Sequence, residues 1–549
     1  MCIRDSADTF QIHEDGDIPD LQIFRENNET IERQKNAPIN VVIGNPPYSA
    51  GQKSANDLNA NLKYPSLDKR IAETYAAKST GTNKNSLYDS YLRAFRWATD
   101  RIGDQGVVAF VSNGGWIDGN TGDGVRLYMA EDFTDLYVYN LRGNQRTAGE
   151  QSRKEGGKVF GSGSRNTVAI TIGIKDPNKS GFQLHYRDIG DYLTAEEKLK
   201  IVDTSTVDTV DWQPITPNSH GDWLNQRSDD FTTWPVLGEK KGTTDTFFKL
   251  FSRGLETARD AWAYSYSENK LQDQARGLME NYCAALDAIQ PDQTAESVLK
   301  ENPRLVDPRL GKWSSSLISQ LNRRAPLSRG GVTAHSLYRP FCKQRAFFDA
   351  QFNHRQYQLP SMFPTSAHQN IGYGVCAASN RTPFSLLASD LLPNLSLFMD
   401  PAQFFSRFTW APVDADGGLF GEGASISKSE PSIYGQVGEV VAGYVRKDNI
   451  TDEIKALYRD ALGADITGDD IFHFVYGKLH DPEYRAKYAA DLKKMLPHIE
   501  TPSSRAEFDK FAAAGQKLMD LHVHYEDVEP WPLDIQVKGD ESDRETWRV

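Results

Sequence analysis

The chain has 549 residues, of which 39% are hydrophobic, 11% aromatic and 25% charged. That composition is typical of a globular protein and excludes a low-complexity or fibrous chain, while the length suits two to four domains. The net charge of −13 excludes a generic polyanion binder, but it leaves room for a local basic surface that contacts DNA.

The lengths of the apolar runs and the positions of the cysteines indicate the cellular location of the protein. No run approaches the length of a membrane span, and we expect neither a secretion signal nor a membrane partner. The four cysteines, Cys2, Cys283, Cys342 and Cys376, form neither a C-x-x-C pair nor a ladder. Scattered cysteines of this kind are typical of a reducing cytoplasm, which is the predicted location.

The first apolar run follows a polar, acidic leader. Val41-Val42-Ile43 is predicted to be a buried strand, and it ends at Gly44-Asn45-Pro46-Pro47-Tyr48. Each proline fixes its own φ and has no N–H, so the loop is stiff and one face offers only carbonyls. The alternative is a strand followed by an ordinary proline turn.

This loop suits a planar group that carries an –NH2. The Asn45 side-chain oxygen and the Pro46 carbonyl could accept its two hydrogens, while Tyr48 could stack on its plane. An exocyclic amine on a heteroaromatic ring is a poor nucleophile because its lone pair is delocalised. Two acceptors on the N–H groups favour a more tetrahedral nitrogen and stabilise the positive charge that develops during attack.

The following residues alternate between strand and helix patterns. Ser86 and Asp89 form an S-x-x-D capping box before apolar residues at helical spacing up to Ile102. We predict further elements in this order: a strand at 107–111 that ends at Ser112-Asn113-Gly114-Gly115-Trp116, a helix at 124–131, and strands at 136–139 and 167–174. This rhythm predicts a parallel α/β sheet.

Asn45-Pro46-Pro47-Tyr48 resembles the catalytic motif of amino-methyltransferases that use S-adenosylmethionine, above all the DNA N6-adenine enzymes. The order of elements resembles the second half of that fold, which ends in a hairpin strand. The resemblance implies that Phe160, just before the last strand, stacks on the far face of a flipped adenine opposite Tyr48. The alternative for Phe160 is a core phenylalanine.

The same resemblance bears on the cofactor. Such enzymes bind S-adenosylmethionine with a glycine loop that precedes the catalytic motif, and the 44 residues before Asn45 contain none. Phe160-Gly161-Ser162-Gly163 has the wrong spacing and no preceding strand, and we interpret it as a flexible loop. We expect the chain to be the C-terminal portion of a longer enzyme, inactive alone, with cofactor-binding residues unknown.

Basic and aromatic residues concentrate between Leu321 and Pro360. Seven basic residues stand against the single acid Asp349, with aromatic residues among them. The basic residues are Arg323, Arg324, Arg329, Arg339, Lys343, Arg345 and Arg355. In an acidic chain this pattern predicts a DNA-binding surface, and a β-rich core with a basic rim is the alternative.

From Thr451 the chain turns helical. Phe474–Arg485 and Tyr338-Arg339-Pro340-Phe341 closely resemble the C-terminal specificity region of Type ISP restriction–modification enzymes. Those prokaryotic polypeptides join a nuclease, a helicase-like ATPase, an adenine methyltransferase and a target-recognition domain. The resemblance implies double-stranded DNA as partner, with nuclease and ATPase domains upstream.

Other chemistry is not indicated. No G-x-x-x-x-G-K-[ST] loop occurs, and no E-x-K triplet follows a Pro-Asp at a strand end, so we assign neither ATPase nor nuclease to this stretch. His480, His522 and His524 lack companions at metal-ligand spacing. We interpret them as surface or helix-end residues and predict no metal site.

The predicted fold class is α/β: a partial Rossmann-like methyltransferase sheet without its N-terminal strands, then a mixed α+β target-recognition domain with a helical C-terminal part. The predicted divisions are a truncated leader (1–36), the methyltransferase half (37–185), the recognition domain (186–440) and its helical part (441–549). The predicted function is site-specific adenine-N6 methylation. The alternatives are an RNA or protein-glutamine amino-methyltransferase, and a DNA-specificity module without catalysis.

Overall fold

The computed structural model describes residues 10, 33–47, 64–81, 84–147, 149–160, 165–240, 242, 245–307, 309–328, 330–378, 382–413, 432–533, 539–540 and 542. The chain forms two compact units. Unit 1 comprises Met1–Trp234, Cys376–Ser385 and Arg485–His498. Unit 2 comprises Pro235–Val375, Leu386–Tyr484 and Ile499–Val549. Both units therefore contain segments that are distant in sequence.

A six-stranded mixed sheet forms the centre of unit 1, in the order β1-β2-β4-β3-β5-β6. Its strands are β1 (Val41–Gly44), β2 (Gly106–Asn113), β3 (Asp135–Arg142), β4 (Val168–Lys175), β5 (Gln183–Asp188) and β6 (Gln213–Ile215). β1 is parallel to β2 and β3 is parallel to β5, whereas β4 lies antiparallel between β2 and β3. The prediction of a parallel sheet is therefore wrong for β4, which pairs antiparallel with both of its neighbours and occupies the place of the final hairpin strand that the resemblance implied, and for β6, which pairs antiparallel with β5. The predicted α/β fold class is confirmed.

The prediction of a buried motif strand is wrong. In the described part of the chain β1 is an edge strand that pairs with β2 alone. Val41 is 55% exposed and Ile43 77% exposed, while Val42 between them packs against the core. Three successive apolar residues indicated burial on both faces, but a sheet edge with one covered face accommodates them as well.

Helices cover both faces of this sheet. They are α1 (Pro65–Glu73), α2 (Tyr75–Lys78), α3 (Ser90–Arg101), α4 (Asp123–Asp132), α5 (Gly149–Glu155) and α6 (Ala195–Asp203). Val108 and Phe110 of β2 belong to the larger core cluster with residues of α3 and α4. Val111, which points to the opposite face, packs against a second cluster that includes residues of α6.

The predicted capping box at Ser86 and Asp89 is also wrong. Residues Asn85–Tyr88 form a 3-10 helix, and α3 begins after Asp89 without a side-chain cap. The Ser86 hydroxyl instead lies 3.0 Å from that of Thr121. A capping box does occur at the start of α6, where the Thr194 side chain and Glu197 satisfy each other's backbone N–H groups.

The described residues of unit 2 form three small sheets, with orders β13-β9-β10-β8, β12-β11-β14-β7 and β15-β17-β16. The strands are β7 (Ser252–Arg253), β8 (Tyr264–Ser265), β9 (Val332–Arg339), β10 (Cys342–Phe348), β11 (Gly372–Cys376), β12 (Ser385–Ser389), β13 (Leu392–Pro393), β14 (Gln403–Ser406), β15 (Phe408–Pro412), β16 (Val440–Val441) and β17 (Tyr444–Asp448). Helices α7 (Asp260–Ala263), α8 (Glu268–Ala288), α9 (Ala295–Glu301) and α10 (Ser315–Asn322) precede the β9–β10 hairpin.

The predicted C-terminal helices are present. They are α11 (Asp452–Leu462), α12 (Gly468–His480), α13 (Pro482–Lys487), α14 (Ala489–Leu492) and α15 (Arg505–Val523). Helices α12 and α15 approach backbone to backbone. A Cβ on Gly515 would lie 1.9 Å from the His473 carbonyl oxygen, and one on Gly477 would lie 2.2 Å from that of Phe511. Only glycine permits this approach.

Two further observations concern the sequence predictions. The sheet of unit 1 continues past residue 185 through β5, α6 and β6, whose patterns were not recognised. The predicted domain limits at 36, 185 and 440 are functional divisions and stay predictions. Among the described residues, no helix has the length and apolarity that crossing a membrane requires.

Candidate active site and nucleic-acid interface

The carboxyl ends of β1, β2 and β3 lie at the same edge of the sheet. β1 and β2 are parallel, and β2 and β3 both run antiparallel to β4. The loop that begins with Asn45 therefore lies at the same edge as Asn113 and as the connection that follows Arg142. Loops at the carboxyl edge of parallel strands are where α/β folds place their binding groups.

The Asn-Pro-Pro loop leaves the sheet directly after Gly44. Gly44 pairs with Phe110 of β2, and a Cβ at Gly44 would lie 3.3 Å from the Phe110 ring. Asn45 and Pro47 are exposed, whereas Pro46 is buried. Tyr48, the predicted stacking residue, lies outside the described residues. The described part of the motif thus presents an exposed amide beside a fixed proline.

The neighbouring loop after β2 is held by several hydrogen bonds. The Asn113 side-chain oxygen accepts the Gly115 N–H at 2.9 Å, and the Gly114 N–H donates to the Thr167 carbonyl at 3.0 Å. The fully buried Arg126 of α4 donates to the Trp116 carbonyl at 2.6 Å. These hydrogen bonds fix the loop after β2 at the sheet edge that also carries the Asn45 loop.

Phe160 lies in the β3–β4 connection at the same edge. Its half-buried ring packs against the core cluster formed by Tyr139, Leu141, Val168 and Ile189. Val111, which packs against the same cluster, follows the residue that pairs with Gly44. Phe160 is thus a packed side chain near the strand end that carries Asn45, and its stacking role stays a prediction.

A buried charge network lies beside the loop after β2. Lys494 Nζ lies 2.7 Å from Asp222 Oδ1, and Arg227 Nε lies 2.7 Å from Asp222 Oδ2. Arg126 approaches the same carboxylate at 3.5 Å. Burial raises the pKa of Asp222, but the hydrogen bonds and charges of Arg227 and Lys494 outweigh it and hold that pKa well below its usual value.

In unit 2, most of the predicted DNA-binding residues have partners within the unit. Arg345 pairs with Glu268 at 3.3 Å, and Lys343 pairs with Glu526 at 2.9 Å. Arg339 donates to the Asn394 side chain at 2.8 Å and lies over the Tyr338 ring at 4.0 Å. Arg339 is the last residue of β9, Lys343 and Arg345 lie in β10, and all three side chains are half-buried.

The other basic residues of the cluster lie in loops. Arg324 donates to the Gln290 carbonyl at 2.5 Å, and Arg329 lies outside the described residues. Arg323 caps α10 and is exposed. Arg355 is exposed, and a hydrogen bond to Tyr357 raises its pKa. Arg323, Arg324 and Arg355 are therefore the exposed candidates for phosphate contact.

The histidines singled out in the sequence have ordinary structural partners. His522 lies 2.6 Å from the Tyr476 hydroxyl, and burial lowers its pKa. His524 pairs with Asp520 at 2.9 Å, and the ring of His480 lies 4.8 Å from that of Tyr476. In the part of the chain that the structure describes, no group of three or more His, Cys, Asp or Glu residues could hold a metal ion.

Sequence reasoning missed Arg126 and Lys198. Both are charged, yet Arg126 is 1% exposed and Lys198 fully buried. Lys198 falls on the helical stripe of Ala195, Ile201 and Val202, where an apolar residue is expected. A basic residue at a core position of an amphipathic helix could have indicated a buried side chain that donates hydrogen bonds to the backbone.

Comparison with known families agrees with this architecture. Residues 7–146 match the family model of the Eco57I restriction–modification methylase, and residues 246–549 match that of the Type ISP C-terminal specificity domain. Fold and site thus define a restriction–modification methylase segment joined to a specificity domain. The chain belongs to the Type ISP restriction–modification family, which confirms the predicted resemblance.

Solved structures give the same result. A nuclease-deletion mutant of the Type ISP enzyme LlaGI in complex with a DNA substrate mimic is 34% identical, with a TM-score of 0.76 over 95% of this chain and 38% of that one. The ATP-dependent Type ISP enzyme LlaBIII bound to DNA is 30% identical, with a TM-score of 0.78 over 97% of this chain and 32% of that one. The DrdV–DNA complex is 32% identical, with a TM-score of 0.75 over 95% of this chain and 48% of that one.

The chain thus spans less than half the length of each of these relatives. The comparison with curated proteins gives no match.

Proposed function

We propose that this chain contributes the amine-binding loop and the target recognition of a site-specific DNA methyltransferase that acts on adenine N6. The observation that carries the proposal is the exposed Asn45 followed by two prolines at the carboxyl end of a parallel strand. That strand lies in a sheet in which β4 is inserted antiparallel between β2 and β3. The match to the restriction–modification methylase model supports this assignment.

In the proposed reaction, Asn45 and Pro46 hold the adenine amine. The Asn45 side-chain oxygen and the Pro46 carbonyl each accept one N6 hydrogen, which localises the nitrogen lone pair for attack on a methyl group. Because Pro46 is buried and has a fixed φ, its carbonyl needs no reorganisation when positive charge develops on the nitrogen. The extra proton leaves the methylated amine afterwards, which restores the neutral base.

The base must leave the duplex to reach this loop. We propose that the base stacks between Tyr48 and Phe160. Tyr48 follows β1 in the sequence, and Phe160 lies in the connection between β3 and β4, and both β1 and β3 end at this edge of the sheet. Stacking on aromatic rings offsets part of the free energy of unstacking and unpairing the base. Phe160 is held from behind by its core cluster, so its exposed face is preorganised for such a contact.

S-adenosylmethionine is the proposed methyl donor, and when bound it supplies an activated methyl group. The described residues do not complete a site for it. β1 pairs with β2 only, and no described strand with a glycine turn flanks its other side. No described residue is assigned to its binding.

Duplex DNA is the proposed partner of unit 2. Support comes from the match of residues 246–549 to a specificity domain and from relatives whose structures contain DNA. The basic residues between Leu321 and Pro360 are the proposed contacts, and Arg323, Arg324 and Arg355 are exposed among them. Nuclease and helicase-like ATPase domains in the same polypeptide, and a prokaryotic cytoplasmic location, complete the proposal.

Methyl transfer from labelled S-adenosylmethionine tests the function. The chain is assayed alone and joined to the sequence encoded upstream of it, on duplex DNA, on RNA and on protein acceptors. We expect labelled duplex and N6-methyladenine in its nuclease digest for the joined polypeptide. Label in RNA or glutamine would establish the other amino-methyltransferase class, and sequence-specific duplex binding without any transfer would establish a specificity module.

A further inference from the structure

Lys198 of α6 is a fully buried lysine. Its Nζ donates to the carbonyl oxygen of Glu155 at 2.7 Å and to that of Gly157 at 2.9 Å. No carboxylate among the described residues forms an ion pair with it. Burial lowers its pKa, and an ammonium group removed from water needs such hydrogen bonds to persist. The lysine therefore ties one specific loop to the helix.

That loop lies directly against the start of α6. The Gly157 N–H donates to the Leu193 carbonyl at 2.9 Å. A Cβ on Gly156, whose φ is +68°, would lie 2.1 Å from the Leu193 carbonyl oxygen. A Cβ on Gly157 would lie 2.3 Å from the Ala195 nitrogen. Two glycines thus allow the backbone to reach the position in which Lys198 holds it.

Further bonds hold the beginning of the loop. The Gly143 N–H donates to the Glu155 carbonyl at 3.2 Å, and the Tyr192 N–H donates to the Lys154 carbonyl at 3.2 Å. After Gly157 come Lys158, Val159 and Phe160, whose ring packs on the core cluster at the sheet edge. Lys198 thus holds the backbone three residues before the aromatic side chain.

We propose that Lys198 is a positioning residue for Phe160: it fixes the loop at 155–157 so that the Phe160 ring is presented to a flipped base. This inference rests on the proposed function. A buried lysine is an expensive way to hold a loop if packing alone is needed, because methionine fills a similar volume without a charge. The ammonium group, unlike methionine, holds the Glu155 and Gly157 carbonyl groups at hydrogen-bonding distance. It thereby fixes the direction in which the backbone continues towards Phe160.

Base flipping gives the readout. A duplex with 2-aminopurine at the position of the methylated adenine becomes more fluorescent when that base leaves the stack. We compare Lys198→Met and Lys198→Arg with the unmodified protein, using the joined polypeptide. Lys200→Met is the matched control, since Lys200 is exposed on the same helix.

For Lys198→Met we expect duplex affinity within about twofold of the parent and a fluorescence increase reduced several-fold. The kcat of methylation should fall about 10- to 100-fold with little change in KM, because small misplacements of a positioned group have effects of this size. Lys198→Arg, which keeps charge and donors, should recover part of both signals. Lys200→Met should match the parent.

A second route reaches the same loop without changing the lysine. Gly157→Ala places a methyl group against Ala195 and should displace the loop, so it should reproduce the flipping defect. If Lys198→Met does not fold, the Gly157→Ala variant decides. Normal flipping and kcat in Gly157→Ala, or in a folded Lys198→Met, overturns this inference alone, whereas absence of flipping and methylation in the parent overturns the proposed function.

Discussion

Asp222 and Lys494 form a buried ion pair, with 2.7 Å between Lys494 Nζ and Asp222 Oδ1 and side chains 0% and 3% exposed. Arg227 holds the other carboxylate oxygen at 2.7 Å. The pair joins two parts of unit 1, Met1–Trp234 and Arg485–His498, and the second of them lies within the match to the specificity domain. Its charges are out of water, so removing one partner leaves the others uncompensated.

The first prediction concerns this pair. Asp222→Asn should lower the free energy of unfolding by about 3 kcal/mol or more, because Lys494 and Arg227 lose their buried counter-charge. Asp211→Asn is the matched control, since Asp211 is 87% exposed and pairs with Arg187 at the surface. Urea denaturation of both variants provides the measurement. Equal stability of the two would show that the buried pair contributes nothing.

The pH dependence of the same group has a definite sign. The folded pKa of Asp222 lies below its unfolded value of about 3.9, so its contribution is complete above that value and is lost as pH falls through the folded pKa. The Asp222→Asn variant should therefore lose less stability than the parent below about pH 4. Denaturant titrations at several pH values between neutral and acid check this.

A second pH effect arises from His473. This histidine is buried, its Nε2 lies 2.7 Å from the Tyr434 hydroxyl, and burial lowers its pKa to about 4. The unfolded chain binds the proton near pH 6.5, so stability should fall as pH drops from about 6.5 to 4, by up to about 3 kcal/mol. His473→Gln should flatten this region of the profile. An unchanged slope would mean that His473 titrates normally, and exposed His524→Gln is the control.

The catalytic assignment is tested at Asn45. Asn45→Ala should reduce methylation by at least about 100-fold, since one acceptor of the developing charge is removed. Duplex affinity should change little because it depends on phosphate contacts elsewhere. Asn178→Ala, at an exposed turn on the opposite edge of the sheet, is the control. Near-normal methylation by Asn45→Ala would exclude the loop from catalysis.

Phe160 has two interpretations that substitution separates. Phe160→Ala should abolish most of the 2-aminopurine signal and lower kcat, whereas Phe160→Tyr, which keeps the ring, should preserve both. Phe182→Ala removes a similarly half-buried ring near the other edge of the sheet and should affect stability only. If Phe160→Ala changes stability alone, the residue is a core phenylalanine.

The basic cluster yields a graded prediction. Arg323→Ala or Arg355→Ala should weaken binding to all duplexes alike and reduce the salt slope by about one for each phosphate that is no longer neutralised. Arg345→Ala should act mainly on the stability of unit 2, because Arg345 pairs with Glu268. Binding to cognate and scrambled duplexes at several salt concentrations separates these outcomes. Unchanged slopes in both exposed variants would locate the DNA surface elsewhere.

Secondary structure could be predicted from the sequence where it depends on the spacing of residues close together in the chain. The apolar run before Asn45 and the helical spacing up to Ile102 correctly gave a strand and a helix. The sequence was insufficient where a residue's environment depends on residues far away in the chain. Val41 is exposed because its strand pairs with a single neighbouring strand, and Lys198 is buried because its ammonium group binds a loop about 40 residues earlier. Pattern alone carries no such information.

Tyr48 and Arg329 show a related limit, since both were singled out from sequence and both lie outside the described residues. For the remaining site residues the structure adds context that motif and composition cannot supply. Arg339 and Arg345 are basic like Arg323, but they have partners within unit 2. The sequence alone does not distinguish these paired arginines from the exposed Arg323.

The ion pair between Lys493 and Asp118 joins residues 375 positions apart, with 2.6 Å between their charged atoms. On a ribosome that adds about 5–20 residues each second, the second partner emerges roughly 20–75 s after the first. Through that interval the nascent methylase segment lacks the contacts that residues 485–498 make with it. Such a chain should depend on chaperones during synthesis, and its yield should fall with temperature more steeply than that of a contiguous domain.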